Sequence, residues 1–226
     1  MNISHNIENI LEEIPKDVRL VAVSKTKTIE EMDEAYNVGI RDFGENKVQE
    51  LIKKEEVFHN DVRWHQIGVL QTNKVKYLVG KVFLIHSLSS IKLLHQIEKE
   101  FGKSNLTANV LIQINIGKDE NKSGFYEEEV ENLVLEIEKC KYVKVKGLMC
   151  VVPKGNDDSN RMYFRQTKNL FEHLRKQKLK NVTMEILSMG MTHDYKIAIE
   201  EGSNLVRIGE GIFGKRNYDL GGLKNE

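Results

Sequence analysis

Arg19-Leu-Val-Ala-Val-Ser-Lys-Thr-Lys-Thr-Ile-Glu-Glu-Met32 contains the repeating unit of this chain. The aliphatic, β-branched run at 19–24 reads as a strand, and a short polar link follows it. Thr28-Ile-Glu-Glu31 then has the Ser/Thr-x-x-Glu form that opens a helix. The hydroxyl and the carboxylate each satisfy a backbone N–H left over in the first turn. The helix runs toward Val38, and Gly39 stops it.

Working outward, the same alternation recurs along the chain. Short apolar runs at 42–44, 62–68, 82–86, 109–115, 144–149, 183–188 and 204–208 read as further strands. Several lack strict polar–apolar alternation, as strands buried on both faces do in parallel sheets. Helical patterns at 47–57, 73–79, 90–101, 127–140, 159–178 and 192–201 lie between them, and an extra helix at 4–13 precedes the first strand. Strand and helix alternating eight times is the sequence form of an α/β fold of the (β/α)8 TIM barrel type. An open doubly wound sheet is the alternative. Too little chain follows the last strand for a second domain, so a single domain over 1–226 is expected.

Composition narrows the partners. Lys plus Arg and Asp plus Glu each total 34, for a formal net charge of +0, so there is no general pull toward nucleic acid or an anionic membrane. The two cysteines, Cys140 and Cys150, make neither a disulfide framework nor a zinc pattern, which suits a reducing, cytoplasmic setting. The first residues lack the basic start and apolar run of a signal peptide. No apolar run approaches the ~18 residues of a membrane span.

In such a barrel, chemistry sits where strands end and the following loops begin. Lys25 follows the first strand. A lysine partly withdrawn from water can act as a neutral amine and attack an aldehyde, although position alone favours a solvated loop lysine. Lys27 reads as an ordinary neighbour. The loops after strands seven and eight carry Ser188, Gly190 and Thr192, then Gly209, Glu210 and Gly211. Small residues, hydroxyls and open backbone N–H groups at these two places suit a phosphate, and Thr192 reads as the N-cap of the next helix. Gly209-Glu-Gly211-Ile-Phe-Gly214 matches GxGxxG by letter. It opens no βαβ unit and no acidic residue follows at the right distance, so a dinucleotide site is rejected. Arg207, on a buried strand, needs a partner, either an ion pair or a ligand. His65 reads as a ligand contact or a core histidine, and Asn46 as a helix cap or a cofactor contact. His86, Lys118, Lys122 and Ser123 are weaker candidates.

Ala22-Val-Ser-Lys-Thr26, Phe43-Gly-Glu-Asn46, Trp64-His-Gln-Ile-Gly68, Gln71-Thr-Asn-Lys74, Lys122-Ser-Gly124, Gly147-Leu-Met149, Leu187-Ser-Met-Gly-Met191 and Val206-Arg-Ile-Gly209 together resemble the pyridoxal phosphate homeostasis proteins, also called the proline synthetase co-transcribed family. The resemblance runs in order over all eight strands. It implies a barrel of the alanine racemase N-terminal domain type that holds pyridoxal 5′-phosphate (PLP) as a Schiff base on Lys25. It implies phosphate contacts from Ser188 and the backbone around Gly209 and Glu210, with Gly190 and Thr192 in the same loops. It sets Arg207 against the pyridine nitrogen, and Asn46 and His65 near the cofactor. Thr192-His193-Asp194 departs from the Ser-Asp-Asp or Ser-Asn-Asp of many relatives but keeps the hydroxyl.

An arginine does not readily give up a proton, so the ring nitrogen beside it stays a weak electron sink. Racemisation also needs a second base, which alanine racemases take from a C-terminal β domain. The expected function is therefore PLP homeostasis by a monomeric, cytoplasmic carrier or regulator that serves PLP-dependent apo-enzymes without robust catalysis. The alternatives are a PLP-dependent amino-acid racemase using His65 as base, and a barrel enzyme that forms its imine with a sugar phosphate.

Overall fold

A computed structural model describes residues 2–215. Eight parallel strands close into a barrel in sequence order: β1 (Arg19–Val23), β2 (Asp42–Glu45), β3 (Arg63–Gln66), β4 (Leu84–Leu88), β5 (Ala108–Ile114), β6 (Val143–Cys150), β7 (Val182–Ser188) and β8 (Leu205–Ile208). The pairing of β8 with β1, Val21 opposite Arg207, shuts it and excludes the open sheet. Helices α1 (Ile3–Glu13), α2 (Ile29–Asn37), α3 (Val48–Glu55), α4 (Ile91–Lys103), α5 (Val130–Glu138), α6 (Asp157–Arg175), α7 (Tyr195–Glu200) and α8 (Glu210–Phe213) surround it, with 3-10 turns at Thr72–Tyr77 and Glu127–Glu129. The end of the expected single domain, 216–226, lies outside the described residues.

The layers follow from strand parity. Phe43, Trp64, Ile85 and Val206 belong to the main core between sheet and helices. Leu84, Leu111 and Met149, with Ile186, form a small separate cluster inside the barrel. Local rules set the helix starts. Thr28 and Glu31 form the expected reciprocal cap on α2. The α1 helix starts on Asn2, whose Oδ1 accepts the His5 N–H at 3.0 Å. It buries Ile3, Ile7 and Ile10 on one face, each contributing roughly 2 kcal/mol. It packs on α2 and α8, and Asn6 Nδ2 donates to the Ile212 carbonyl at 2.9 Å.

Three expected helices differ; the one at 127–140 opens as a 3-10 turn, Glu127–Glu129, before α5. Residues 73–79 form a 3-10 turn, Thr72–Tyr77, rather than an α-helix. It is cut short before Gly80 at φ +76°, and short pieces favour the tighter winding. The helix expected from Thr192 begins at Tyr195. Asp194 Oδ1 accepts the Met191 N–H at 2.6 Å, while the Thr192 hydroxyl is turned away to accept the Gly211 N–H at 3.2 Å. Thr192 is therefore a tie between the loops after β7 and β8, not an N-cap.

The β6–β7 seam contains a register shift next to Gly147, whose φ is +151°. A Cβ there would lie 1.7 Å from the Ile186 carbonyl oxygen. Gly147→Ala is expected to lower the unfolding free energy by about 3 kcal/mol or more, because clash and strain fall on backbone. Urea denaturation measures this.

Candidate functional site

A cleft of about 330 Å³ opens at the C-terminal mouth of the barrel, within the size range of small-molecule sites. Lys25, Asn46, Thr192, Arg207, Gly209 and Glu210 line it, with Lys27, Met191 and His193. Six of the nine sequence-derived site residues thus meet in one cleft. His65, Ser188 and Gly190 do not line it.

Each lining residue has a local cause. Lys25 occupies a turn from Ser24 to Lys27, closed by the Lys27 N–H on the Ser24 carbonyl at 3.0 Å. Thr26 in that turn adopts φ +64°, a left-handed value that a β-branched residue seldom takes. Lys27 points its ammonium at Glu31 (3.0 Å) and the Phe213 carbonyl (3.1 Å). Asn46 is pressed against Gly68, where a Cβ would lie 2.4 Å from the Asn46 oxygen, and Gln66 Nε2 donates to the Asn46 carbonyl at 3.0 Å. The loops after β7 and β8 are tied by Thr192 and Gly211. Gly190, at φ +88°, is pressed against Tyr195 and Ala198 behind the loop, and its carbonyl accepts the Arg207 N–H at 3.1 Å. Backbone N–H groups at the start of α8 have no acceptor within the helix.

Beneath the cleft runs a buried polar chain. Arg207 is 4% exposed. It donates through Nη1 to Ser188 Oγ and through Nη2 to the Cys150 carbonyl, the latter at 2.9 Å. Ser188 Oγ meets His86 Nδ1 at 3.1 Å across the barrel. His86 Nε2 meets His65 Nδ1 at 2.9 Å, and His65 Nε2 meets Asp42 Oδ1 at 2.8 Å. Arg63 closes the far end on both Asp42 oxygens, at 2.8 and 2.5 Å.

The protonation of this chain follows link by link. Burial opposes the Asp42 charge, but hydrogen bonds from His65 and Arg63 outweigh it and hold the carboxyl down at about 2. An ionised carboxylate only accepts, so His65 carries its proton on Nε2. Burial pushes His65 below its ordinary value, with Asp42 opposing only in part. Burial, with His65 and Arg207 nearby, pushes His86 well down. Both rings are therefore neutral. His65 Nδ1 must accept from His86 Nε2–H, and His86 Nδ1 from the Ser188 hydroxyl. Ser188 in turn accepts from Arg207. Every donor faces one way, toward Asp42.

Arg207 is thus a buried cation with neutral partners. No carboxylate lies within ion-pair range of it among the described residues. Two of its five N–H groups are used, and the side chain lines the cleft. Its polar contacts within the protein leave room for an acceptor from outside.

Sequence reasoning missed Asp42 and underrated His86. The available signal was parity, since Asp42, His65, His86 and Arg207 each fall on the inward face of their strand. Lys118 and Lys122 pair with Glu128 (2.8 Å) and Asp119 (3.9 Å). The Ser123 carbonyl accepts from Gln113 at 2.8 Å. None of the three lines the cleft. Lys118 borders a different cavity, of about 410 Å³, beyond β5. No group of His, Cys, Asp and Glu that could hold a metal occurs among the described residues, nor any helix long and apolar enough to cross a membrane.

The chain matches the family described as alanine racemase, N-terminal domain, over residues 1–217. A pyridoxal phosphate homeostasis protein of Aquifex aeolicus (strain VF5) is 42% identical over 230 residues, spanning 96% of this chain and 100% of that relative. PipY of Synechococcus elongatus PCC7942, in a structure with PLP bound, superposes with a TM-score of 0.86 at 29% identity, over 94% of this chain and 100% of PipY. An alanine racemase of Clostridium difficile 630 superposes with a TM-score of 0.76 at 15% identity. It covers 96% of this chain but 57% of the racemase, a likeness of fold alone.

The proton arrangement predicts a pH response. Below the ordinary histidine value of 6.5, the unfolded chain binds protons that folded His65 and His86 refuse, so stability falls as pH falls. Asp42 adds a further loss of about 2 kcal/mol as pH drops from about 4 toward 2. Nitrogen-15 NMR of the folded protein at neutral pH is expected to find both rings uncharged, with the proton on Nε2. A ring carrying its proton on Nδ1 contradicts the assignment.

Proposed function

We propose a function from one premise: the chain belongs to the alanine racemase N-terminal domain family and, within it, to the pyridoxal phosphate homeostasis proteins. The protein binds PLP in the cleft at the barrel mouth, bonded to Lys25, and acts in PLP homeostasis without robust turnover of its own.

Arg207 carries this reading. It is a buried guanidinium, without a carboxylate partner among the described residues, that lines a cleft in which three cationic side chains, Lys25, Lys27 and Arg207, face one carboxylate, Glu210. Such a lining suits an anionic ligand with an acceptor nitrogen. Bound there, PLP supplies an aldehyde for a lysine amine and an electron-withdrawing aromatic ring. Lys25 bonds the aldehyde. Thr192 and the backbone at Gly209 and Glu210 hold the phosphate, and Glu210 contributes through its N–H rather than its carboxylate. Asn46 contacts the ligand from the β2 side. Arg207 donates to the ring nitrogen and keeps its proton, which disfavours carbanion chemistry. Ser188 and Gly190 enter from below, as the groups that hold Arg207 and its loop.

The racemase reading is weakened by His65. Its ring is fully buried, and both nitrogens are engaged, by Asp42 and His86, so it reaches no substrate in the cleft. The two cysteines are buried free thiols, each raised by burial to about 11. This suits a reducing compartment, and the reading places the protein in the cytoplasm as a monomer that supplies apo-enzymes.

Mixed with PLP, the protein is expected to turn yellow. Borohydride should fix one adduct on the peptide containing Lys25, and Lys25→Ala should lose the colour and the adduct. An undiminished adduct in Lys25→Ala overturns the assignment. Sustained deuterium exchange at the Cα of amino acids by the loaded protein would restore the racemase reading.

A further inference from the structure

Lys25 and Lys27 both line the cleft, so something must decide which of them meets an aldehyde. Part of the answer lies outside the barrel, between the sheet and α3. Lys54 is 8% exposed. Its ammonium has three N–H groups and three acceptors: the Ser24 carbonyl at 2.7 Å, Glu45 Oε1 at 2.8 Å and Glu50 Oε1 at 2.8 Å. Glu50 Oε1 also accepts the Thr26 N–H at 2.5 Å, and Glu45 Oε1 accepts the Ser24 hydroxyl at 2.7 Å. The peptide groups on both sides of Lys25 are thereby gripped by charged side chains. Ser24 is held at its carbonyl and hydroxyl, and Thr26 at its N–H, in the left-handed conformation that the residue would otherwise avoid.

A buried ammonium shared between one buried and one partly exposed carboxylate is a poor way to stabilise a barrel, because removing charges from water offsets much of their attraction. Here burial raises the Glu45 carboxyl above its ordinary value in spite of Lys54, and Glu45 Oε2 has no hydrogen-bond partner. The arrangement makes sense as a device for geometry.

We propose that Glu50 and Lys54 are positioning residues that clamp the Ser24–Lys27 turn from behind, so that Lys25 rather than Lys27 presents its amine to the cofactor aldehyde. This rests on the PLP reading above. Lys27 is restrained at the same time by Glu31 and the Phe213 carbonyl. Charge-assisted hydrogen bonds to backbone fix a turn strongly because they are directional and partly shielded from water.

Glu50→Ala tests the clamp with little risk to folding, since the Glu50 side chain is 23% exposed, and Glu50→Gln keeps an acceptor oxygen. Hydrogen exchange on the protein without PLP is read first. The Thr26 amide is expected to be protected in the parent and to exchange about tenfold faster in Glu50→Ala, the equilibrium worth of one such bond. Glu50→Gln, which keeps the acceptor and loses the charge assistance, should fall between the parent and Glu50→Ala. On addition of PLP, Glu50→Ala should bind about tenfold more weakly, and part of its borohydride-fixed adduct should move to Lys27. Glu50→Gln should keep the adduct on Lys25.

An unprotected Thr26 amide in the parent overturns the proposal. So does a Glu50→Ala protein with parental affinity and all its label on Lys25, or a Glu50→Gln protein as impaired as Glu50→Ala. A parent that takes up no PLP ends the functional reading and the choice between lysines with it, while the exchange data still report whether the turn is clamped.

Discussion

A buried guanidinium with no carboxylate in ion-pair range among the described residues is the constraint around which this barrel is organised. Arg207 is almost entirely buried where it meets the cleft, and burial works against its charge. A lone buried cation is costly unless hydrogen bonds replace the water it has lost. The barrel supplies neutral acceptors, the Ser188 hydroxyl and the Cys150 carbonyl. It then supports Ser188 with two histidines that end on the Asp42 carboxylate. The balancing charge is kept at the opposite end of the barrel and is itself paired with Arg63. An adjacent carboxylate would have neutralised Arg207. A chain of neutral groups holds the same side chain in place and leaves its charge for the cleft.

The other wall of the site is built on a different plan. Lys25 sits on an exposed turn whose geometry is imposed from the layer between sheet and helices, by residues that never reach the cleft. The two walls meet along the β1–β8 seam, where Val21 pairs with Arg207 and a Cβ on Gly209 would lie 3.2 Å from the Val23 carbonyl oxygen. α1 supports this seam from outside through Ile212. The extra N-terminal helix therefore takes part in shaping the site, because it steadies the loop that completes the barrel. In the proposed function, one wall bonds the cofactor and the other reads its ring.

Much of this was legible in the sequence, and the rest was hidden for identifiable reasons. Strands buried on both faces announce themselves as aliphatic runs, and the Thr28–Glu31 cap is a local pattern that the fold keeps unchanged. Lys25, Asn46, Arg207 and Gly209 were legible because a barrel has one functional face and strand ends point to it. Thr192 was misread as a cap because capping rules are local, whereas its hydroxyl is claimed by Gly211, nineteen positions away. His65 and Ser188 were recognised as special but not as partners. They belong to a chain of contacts that crosses the barrel between β4 and β7, over 102 residues of sequence, and no short window contains it. Lys54 was invisible for the opposite reason. A lysine in a helix reads as solvated surface, and only the packing of α3 against the ends of β1 and β2 reveals the three acceptors gathered around it.

The central claim is that Arg207 is held as a charged donor for a ring nitrogen while Lys25 takes the aldehyde. A crystal structure of the protein loaded with PLP tests this most directly. The account predicts density continuous from Lys25 Nζ into the cofactor, an Arg207 nitrogen within hydrogen-bonding distance of the pyridine nitrogen, and the Ser188 contact intact beneath it. A phosphate seated on Arg207, with the ring nitrogen facing the loops after β7 and β8, would contradict it.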